Sequence, residues 1–541
     1  MYDSANIKRG DILIISGNQP TPTTPIKRIA AIDLGTNSFH GIIVEIFSDG
    51  SFRKLDDLKE MVQLAKNGLG NGLTPDAMER GIEALKKIKV LCDSYEAEHI
   101  LAYATSAIRE AHNGGEFIQR SIDEVGIKIN AIPGSVEAEL IGYAVQHGIH
   151  LEEEPVLMVD IGGGSVEFII GNNKDFFFLT SRKIGVSRMT DIIKPGDPIT
   201  NKEIKELEKY YAKELKGVAK ALKEYPTKTI IGSSGTMQNI AAMIAARKDL
   251  PSDITLNELE YSAKDYSEFY KEFIKMDASE RANVSGLDDK RIGFINTGVV
   301  LVNYLMREFD IEKVKISTQA LREGIIIRYL KKDMIGMPWS GEFADPRRRS
   351  VFELLRKCDW HEAHSKHVTD LALRLFDELK DDLSLKEDDR ELLEYAGYLH
   401  DIGYYISHSK HHKHALYIIR HADLKGFREE EIEVIANVAR YHRRSTPKKR
   451  HKEYKKLKKK VRKRIKKLSG ILRVADGLDR SHYQNVQNLQ VELTEEEMII
   501  HIETTDDPSL EIWGAMRKRY LLEKVSKRDV VIKSDLITDQ N

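Results

Sequence analysis

The sequence predicts an α/β fold made of two related lobes with a cleft between them, and three observations carry that prediction. Over roughly the first 330 residues, apolar segments with strand character alternate with helical segments, an order typical of doubly wound sheets. A pattern of strand, glycine-containing turn and strand occurs twice, from Ile26 and again from Val156. The length of 541 residues also exceeds a single domain, because domains average about 150 residues.

The first lobe is predicted over residues 26–150, after a proline- and threonine-rich leader over 1–25 that we expect to be flexible. The lobe opens with the hairpin pattern IKRIAAIDLGTNSFHGIIVEIF. The segment LAYATSAIREA then indicates a strand, a turn and the start of a helix. KINAIPGSVEAELIGYAV indicates a strand, a loop and a longer helix.

The second lobe is predicted over residues 151–330 and repeats the opening of the first. Its hairpin VLMVDIGGGSVEFIIG matches the earlier one at a constant offset of 127 residues, which indicates an internal duplication. The segment TIIGSSGTMQNIAAMIAA adds a strand, a loop and a helix, and an apolar helix over roughly 318–329 closes the lobe. The matched pairs of the two hairpins are Asp33 with Asp160, Gly35 with Gly162, and Ser38 with Ser165.

After residue 330 the pattern becomes mainly helical. The stretch GMPWSGEFADPRRRS is typical of a linker and leads into a helical domain predicted over 331–485. Eleven of the eighteen histidines fall between His361 and His451, a density that calls for a structural or functional reason. Strand-like alternation returns over 486–541, which we expect to form a small α+β module.

The composition excludes several classes of protein. Two cysteines are too few for a disulfide framework and are typical of a reducing compartment. No run approaches the roughly 18 apolar residues of a membrane span, and the N-terminus lacks the pattern of a secretory signal. We therefore expect a cytoplasmic protein with no membrane partner. The net charge of −1 argues against binding to a polyanion only if the charges are evenly spread.

The turns of the two hairpins have a composition suited to phosphate binding. Glycines let the backbone approach a ligand closely, so that N–H groups and Ser or Thr hydroxyls can face a phosphate. A third loop, GSSGT, offers the same groups at a helix N-terminus, where the dipole favours anions. Each loop alone is also explained as a plain hairpin turn or a helix N-cap. The candidate phosphate-binding residues are Asp33, Gly35, Thr36, Asn37, Ser38, Gly162, Gly163, Gly164, Ser165, Ser233, Gly235 and Thr236.

These motifs give the chain a resemblance to a known family. DLGTNSFH, ATSAIREA, IPGSVEAELIGYA, DIGGGSVEF, IGSSGT and LREGI occur in the order seen in the exopolyphosphatase / guanosine pentaphosphate phosphohydrolase (Ppx/GppA) family. The resemblance covers about residues 26–329 and the histidine-rich domain beyond them. That family belongs to the actin, sugar-kinase and chaperone ATPase superfamily, so the resemblance implies an actin-like (ribonuclease H-like) duplicated fold.

The resemblance also implies roles for single residues. Glu137 matches the family's catalytic base, which orients and deprotonates the attacking water. Asp160 and Glu167 match the carboxylates near the divalent cation, expected to be Mg²⁺, and Arg109 matches the arginine that grips phosphate. Each residue also has a structural explanation that does not need the resemblance. Glu137 would stabilise a helix N-terminus, Glu167 would be the polar position of a strand, and Arg109 would form a surface ion pair.

The implied activity is Mg²⁺-dependent hydrolysis of the terminal phosphoanhydride bond of inorganic polyphosphate, which releases orthophosphate. The alternative in the same site is removal of the 5′ γ-phosphate from guanosine pentaphosphate. The chain departs from the family pattern beside Glu137, where Val136 and Ala138 stand, and at Gly293, which replaces a frequent Asp. A nucleotide-dependent kinase or ATPase and a non-catalytic RNA-binding protein remain alternatives from other classes. A homodimer is compatible with the resemblance.

The histidine-rich domain resembles the HD superfamily of metal-dependent phosphohydrolases. His364, His400, Asp401 and Asp476 stand in the order of the ligands that hold a metal there, which implies an additional metal site. His414 together with His442 would complete a two-metal version, whereas His411 is expected to be merely solvated. The alternative is a structural and polyphosphate-binding domain rather than a second active site, as in much of the Ppx/GppA family. An HD phosphodiesterase is a further alternative for the function of the chain.

A strongly basic segment over 448–467 explains the near-zero net charge. Fourteen of its twenty residues are Lys or Arg, and without it the chain carries 70 basic against 84 acidic residues. Apolar residues spaced by three and four predict one helix docked through an apolar stripe. We expect its outer face to bind polyphosphate, and nucleic acid is not the expected partner. The predicted polyanion track consists of Lys455, Lys458, Lys459, Arg462, Lys463 and Lys466.

Overall fold

The computed structural model describes residues 25–48, 50–64, 72–250, 254–333, 345–358 and 360–536. The predicted leader, apart from Pro25, and most of the predicted linker lie outside the described residues. Within the described ranges, no helix combines the length and apolar character that a membrane crossing requires. Cys92 and Cys358 are both free and buried.

The first lobe is a mixed sheet with strand order β3-β2-β1-β4-β5. The β1–β2 and β2–β3 pairs are antiparallel, whereas β1–β4 and β4–β5 are parallel. Its strands are β1 (Pro25–Leu34), β2 (Ser38–Phe47), β3 (Phe52–Met61), β4 (His99–Ala104) and β5 (Ile129–Ala131). Its helices are α1 (Pro75–Ser94), α2 (Ser106–Glu110), α3 (Gly114–Val125) and α4 (Gly134–Gly148).

The second lobe repeats this topology, with strand order β10-β11-β9-β6-β7-β8. The strands β8-β7-β6-β9-β11 correspond to β3-β2-β1-β4-β5 in order and in direction, and β10 adds an antiparallel edge. The predicted duplicated two-lobe α/β fold is therefore confirmed. The strands are β6 (Val156–Ile161), β7 (Val166–Gly171), β8 (Phe176–Arg182), β9 (Thr229–Gly232), β10 (Glu260–Ser262) and β11 (Lys313–Ile316). The helices are α5 (Val186–Ile193), α6 (Asn201–Glu214), α7 (Lys216–Glu224), α8 (Gly235–Arg247), α9 (Ala263–Phe273), α10 (Ala278–Arg281), α11 (Ile295–Glu308) and α12 (Leu321–Asp333).

Helices α4 and α12 form a central layer between the two sheets. Successive side chains of a strand point to opposite faces, so Ile29 and Ala31 of β1 pack into this layer. Ala30 and Ile32 pack on the other face of the sheet, against α1 and α3. The central core includes Ile141 of α4, Ile325 and Ile326 of α12, and Met158 and Ile169 of the second sheet. Both faces of β1 are therefore buried, which explains its continuous apolar run.

The C-terminal part of the chain combines helices with a sheet of order β12-β13-β14. The helical and α+β segments share one hydrophobic core, and the boundary between residues 485 and 486 stays a prediction. The helices are α13 (Pro346–Lys357), α14 (Glu362–Leu379), α15 (Glu387–Leu399), α16 (His411–His421), α17 (Glu429–Arg440), α18 (Lys452–Lys456), α19 (Lys459–Gly477), α20 (Ser509–Met516) and α21 (Tyr520–Ser526). The strands are β12 (Val486–Leu493), β13 (Glu497–Thr504) and β14 (Asp529–Leu536), and short 3-10 helices span Asp289–Arg291 and Ile402–Tyr405.

The basic segment is not the single helix that its spacing predicts. Helix α18 ends at Lys456, Leu457 and Lys458 are extended with ψ angles of 147° and 149°, and α19 then begins. The break lets the Tyr454 hydroxyl donate to the Arg462 carbonyl oxygen at 2.9 Å, and it separates lysines that would repel one another along one helix. The apolar stripe itself is buried, at Tyr454, Val461, Ile465 and Leu468.

Gly324 sets how closely α4 and α12 approach each other. A Cβ atom at this position would overlap the backbone oxygen of Leu140 on α4. Backbone cannot turn away as a side chain does, so the helices would have to separate.

We expect Gly324→Ala to lower the free energy of unfolding by about 1–3 kcal/mol, the usual cost of overpacking a core. Gly115→Ala on α3 is the control, because a Cβ there meets nothing within 4 Å. That change should be neutral or stabilise the protein by up to about 1 kcal/mol. Chemical denaturation of both variants measures the difference. Equal stabilities would contradict the role of the contact.

Candidate active site

The two hairpin turns face each other across a cleft of about 320 Å³ between the lobes. In each turn the first glycine N–H donates to the serine carbonyl oxygen, from Gly35 to Ser38 at 3.1 Å and from Gly162 to Ser165 at 3.0 Å. The duplication of sequence is thus a duplication of local geometry. The predicted phosphate-binding residues that line the cleft are Asp33, Gly35, Thr36, Asn37, Ser38, Gly162, Gly163, Gly164, Ser165, Gly235 and Thr236.

Glycines of the second turn allow the lobes to meet. A Cβ on Gly163 would lie 3.0 Å from Asn37 Nδ2, and a Cβ on Gly164 would overlap the Ser106 hydroxyl. The Asn37 side chain donates to Ser187 Oγ at 3.1 Å, which adds a hydrogen bond between the lobes. Without side chains at these glycines, the backbone of the turn can approach a ligand in the cleft closely.

Four carboxylates of the cleft are partly or fully removed from water. Burial raises the pKa of Asp33 to about 6 and the pKa of Asp160 to about 7. Burial also raises the pKa of Glu137 to about 7, against the opposing effect of Arg109. The pKa of Glu167 is raised well above its usual range by burial and by the neighbouring Glu137 and Asp160. So many carboxylates in one cleft favour the binding of a cation.

Asp160 and Glu167 fit the predicted Mg²⁺ site in their chemistry. Carboxylate oxygens are the ligands that Mg²⁺ prefers. The Ser233 hydroxyl donates to Asp160 Oδ2 at 2.7 Å, and the Ser181 hydroxyl donates to Glu167 Oε1 at 2.7 Å. Within the described residues neither carboxylate has an ion pair with a basic side chain. Both therefore keep oxygens for a divalent cation, and Ser233 acts through Asp160 rather than lining the cleft.

Glu137 lies in the first turn of α4 and is 6% exposed. Arg109 Nη1 donates to Glu137 Oε2 at 2.9 Å and to the Ile132 carbonyl oxygen at 2.8 Å. The structure thus places Arg109 against the predicted base, but Arg109 is not among the described residues that line the cleft, so its contact with phosphate stays a prediction. This ion pair holds the Glu137 carboxylate in one orientation, as a general base requires.

Basic residues that the motifs did not single out complete the cleft. Lys59, Arg291 and Arg322 line it together with His40. Arg322 contacts His40 Nδ1, and Arg291 Nη1 donates to Thr236 Oγ1 at 3.3 Å. Burial and Arg322 lower the pKa of His40 to about 4, so this imidazole is neutral. Arg322 lies within the LREGI motif, so the sequence did contain a pattern that could have identified it. No local pattern indicates Lys59 or Arg291.

The predicted metal ligands of the helical domain come together around Asp401. His364 Nε2 lies 3.3 Å from His400 Nε2, and these nitrogens lie 3.7 and 3.5 Å from Asp401 Oδ2. Asp476 Oδ1 lies 3.8 Å from His364 Nε2 and 3.9 Å from His400 Nε2. A second group consists of Asp401, His411 and His442.

The predicted pairing of His414 with His442 is wrong. His411, expected to be solvated, is fully buried with its Nε2 3.2 Å from Asp401 Oδ1. Helix α16 begins at His411, and this first residue lies against Asp401, whereas His414 lies about 4.5 Å further along the helix axis and is only half-buried.

The predicted polyanion track presents its charges to solvent. Lys455, Lys458, Lys459 and Lys463 are exposed, and Arg462 and Lys466 are half-buried. Arg464 of the same segment is held by Asp389 and is not available to a ligand.

Comparison with known proteins shows matches over both parts of the chain. A model of the Ppx/GppA phosphatase family matches residues 42–333, and a model of Ppx/GppA phosphatase domain III matches residues 347–512. The guanosine-5′-triphosphate,3′-diphosphate pyrophosphatase of Photobacterium profundum is 29% identical over 424 residues, which cover 78% of this chain and 81% of the relative.

Solved structures match somewhat more than half of the chain. An exopolyphosphatase from Cytophaga hutchinsonii is 31% identical with a TM-score of 0.54, over 56% of this chain and 98% of the other. A Ppx/GppA family member from Aquifex aeolicus is 28% identical with a TM-score of 0.50, over 57% of this chain and 99% of the other.

The raised pKa of Glu137 makes stability depend on pH in a defined direction. The folded protein binds this proton more tightly than the unfolded chain does, so stability is lost as pH rises from about 4.5 through about 7. Glu137→Gln removes the titration. Relative to the wild type, the variant should therefore gain about 2–3 kcal/mol between about pH 5 and pH 8, since one pKa unit corresponds to about 1.4 kcal/mol.

Urea denaturation at both pH values measures this relative gain. Glu139→Gln, on the same helix but outside the cleft lining, is the control and should follow the wild type at both pH values. A gain in both variants, or in neither, would show that Glu137 does not take up the proton.

Proposed function

Because this chain belongs to the Ppx/GppA phosphatase family, whose members are hydrolases acting on phosphoanhydrides, we propose that it is an exopolyphosphatase. It hydrolyses the terminal phosphoanhydride bond of inorganic polyphosphate and releases orthophosphate, with Mg²⁺ or another divalent cation at Asp160 and Glu167. The observation that carries the proposal is the lining of the cleft. It combines buried carboxylates, backbone N–H groups and basic side chains, and none of its described lining residues is Phe, Tyr or Trp.

A chain of phosphates needs such a lining. Phosphate oxygens accept hydrogen bonds from N–H groups and pair with Lys and Arg, but they offer no aromatic surface. Lys59, Arg291 and Arg322 supply positive charge to the same cleft. Arg322 lies close enough to Asp33 and Asp160 to lower the pKa of each carboxyl, against the larger effect of burial. The phosphate chain and the divalent cation are therefore bound by different groups of the same cleft.

The hydrolytic step requires a base, a fixed phosphorus atom and neutralisation of charge. Glu137 takes a proton from the attacking water, and a pKa near 7 suits this role at neutral pH. The water oxygen forms a bond to the terminal phosphorus while the bridging P–O bond breaks. The shortened chain leaves with negative charge that Arg322 and Arg291 offset. A bound divalent cation supplies further charge neutralisation for the phosphate oxygens.

A second candidate is 5′ γ-phosphate removal from guanosine pentaphosphate in the same site. The observation that favours it is the 29% identical relative from Photobacterium profundum, which is a guanosine-5′-triphosphate,3′-diphosphate pyrophosphatase. The bond that breaks is again a terminal phosphoanhydride, so the same residues would act. The two candidates differ in whether a guanosine must be accommodated.

The proposed setting of this activity is the cytoplasm. Its support is the state of the cysteines: Cys92 and Cys358 are buried, unpaired thiols, as is usual in a reducing compartment.

Orthophosphate release from long-chain polyphosphate and from guanosine pentaphosphate, measured in parallel with Mg²⁺, separates the candidates. We expect faster release from polyphosphate. Glu137→Gln should lower kcat by about 10²–10⁴-fold on either substrate, because general base catalysis contributes that much. Glu139→Gln should change kcat less than about twofold, the range expected of a residue outside the chemistry. Release from guanosine pentaphosphate alone would overturn the preferred substrate, and full activity of Glu137→Gln would overturn the site.

The exposed lysines of the basic segment are proposed to bind the polyphosphate chain away from the cleft. Replacement of Lys458, Lys459 and Lys463 by Gln should weaken binding of long polyphosphate. It should also reduce the slope of log K against log salt by about 2, at roughly 0.7 per lost contact. The matched control replaces three exposed lysines of the second lobe, Lys202, Lys205 and Lys209 of α6. Equal slopes for both triple variants would refute a specific track.

A further inference from the structure

His40 is a side chain of the cleft that the proposed hydrolysis does not use. It is the third residue of β2 and lines the cleft together with Arg322. Its side chain is 16% exposed. Although it ends the DLGTNSFH motif, the resemblance implies no role for it. Its contacts place it between two charged residues, and this arrangement needs its own explanation.

Strand pairing brings the residues around His40 to one face of the first sheet. His40 lies opposite Lys59 of β3 in the antiparallel register, and Asp57 comes two residues before Lys59. Successive side chains of a strand alternate between faces, so His40 shares its face with Ile42, which packs in the central layer. Helix α12 of that layer has Arg322 as its second residue. Residues from β2, β3 and α12 therefore meet at the edge of the cleft.

The partners of His40 fix the position of its ring proton. A guanidinium group has only donors, so the contact of Arg322 Nη1 with His40 Nδ1 requires a lone pair on Nδ1. The other ring nitrogen, Nε2, then carries the proton and donates to Asp57 Oδ2 at 3.1 Å. Burial and the charge of Arg322 lower the pKa of His40 to about 4, against the opposing effect of Asp57. The ring therefore stays uncharged at neutral pH.

Asp57 holds the imidazole from its other side. Asp57 is exposed, and Lys54 Nζ donates to its Oδ1 at 2.7 Å. The negative charge of Asp57 is thus offset by Lys54, and the imidazole ring separates it from Arg322. The three side chains of Asp57, His40 and Arg322 therefore form a row that runs from the surface into the cleft.

Arg322 keeps donors for a ligand. Its Nε atom is buried and has no hydrogen-bond partner within the described residues. Its ion pair with Glu323 is loose, because Nη2 lies 3.7 Å from Glu323 Oε1. A buried donor without an acceptor costs free energy unless a ligand satisfies it, and phosphate oxygens are suitable acceptors. The guanidinium is therefore fixed at one nitrogen and leaves N–H groups for a phosphate.

An imidazole holds this guanidinium in a way that a carboxylate could not. A carboxylate at the same place would form an ion pair and offset much of the positive charge of Arg322. The uncharged ring accepts one hydrogen bond and leaves that charge to act on the cleft. A group that stabilises the negative charge of a leaving phosphate chain has to be both fixed in place and still charged.

We propose that His40 is a positioning residue: as an uncharged hydrogen-bond acceptor held by Asp57, it fixes Arg322 against the departing phosphate without neutralising its charge. This role rests on the proposed hydrolysis of a terminal phosphoanhydride. It applies to polyphosphate and to guanosine pentaphosphate alike, because the same type of bond breaks in both. His40 takes no part in proton transfer, and its effect on the rate passes through Arg322.

Two substitutions separate the two contacts of His40. The side-chain oxygen of Asn can lie where Nδ1 lies, so His40→Asn keeps an acceptor for Arg322 and loses the contact with Asp57. The amide nitrogen of Gln can lie where Nε2 lies, so His40→Gln keeps the contact with Asp57 and loses the acceptor. His40→Ala loses both contacts.

Orthophosphate release from long-chain polyphosphate with Mg²⁺ measures the effect of each substitution. We expect His40→Ala and His40→Gln each to lower kcat by about 10–100-fold, the range for a lost hydrogen bond to a charged group. KM should change less than about threefold, because the interaction serves the transition state. His40→Asn should restore kcat to within about threefold of the wild type. An imidazole that only links β2 to β3 predicts the reverse order, and an active His40→Gln beside an impaired His40→Asn would overturn the proposal.

A double-mutant cycle tests whether the effect passes through Arg322. In an Arg322→Gln background, His40→Ala should lower kcat by less than about a further twofold, because the group that His40 positions is already gone. If the two losses multiply in full, His40 acts on another group and the proposed role is wrong.

The protonation state of the ring provides a test that does not depend on activity. In protein labelled with ¹⁵N-histidine, the signals of His40 are assigned by their loss in His40→Asn. From about pH 5 to about pH 8 they should show a proton on Nε2 and none on Nδ1, since the pKa of His40 is about 4. A proton on Nδ1 in this range would overturn the arrangement.

Failure of this proposal and failure of the proposed function give different results. If the wild type releases orthophosphate from neither polyphosphate nor guanosine pentaphosphate, the proposed function is overturned, and the role of His40 with it. If the wild type is active and His40→Gln keeps its kcat, only the role of His40 is overturned.

Discussion

The close contact between α4 and α12 is the constraint on which the cleft depends. These helices cross where Gly324 meets the backbone of Leu140, and the central core between the sheets is built around them. Each helix also begins at the cleft, α4 with Glu137 and α12 with Arg322. The packing of the central layer therefore fixes the distance between Glu137, the proposed base, and the guanidinium group of Arg322 in the cleft. A larger residue at Gly324 would push the two helices apart and so displace both Glu137 and Arg322.

The electrostatics of the cleft follow from that geometry. Two duplicated strand ends bring Asp33 and Asp160 to one place, and α4 adds Glu137. Burial of these carboxylates without a cation is costly, which is why their pKa values are raised. Arg109 offsets part of the cost at Glu137, and the Ser233 hydroxyl together with the charges of Arg322 and Arg291 offsets part of it at Asp160. A divalent cation bound with its phosphate ligand would relieve the remaining cost of burying these carboxylates, and this relief would favour its binding.

What the sequence reveals depends on whether a signal is local. The two hairpins could be predicted because each apolar strand, β1 or β6, and the glycine-containing turn after it lie within one continuous segment of the sequence. Arg291 and Lys59 were not, because they come from a 3-10 helix and a neighbouring strand that only the tertiary fold brings to the cleft. His411 and His414 differ by less than one helical turn, so their roles depend on where α16 begins. The break at Leu457 is accompanied by a hydrogen bond from Tyr454 to the next helix, which spacing alone does not encode.

The cleft between the lobes and the cavity of the helical domain, which is lined by Asp401 and Trp513, carry similar charged residues but differ in the other side chains that line them. Both combine acidic residues with arginines, so charge alone would let either bind phosphate. None of the described residues that line the cleft between the lobes is Phe, Tyr or Trp, and its carboxylates suit a hard cation. The cavity of the helical domain offers an exposed indole and imidazole nitrogens, which suit softer metals and an aromatic substituent. The two cavities therefore differ in their aromatic and imidazole side chains more than in the sign of their charges.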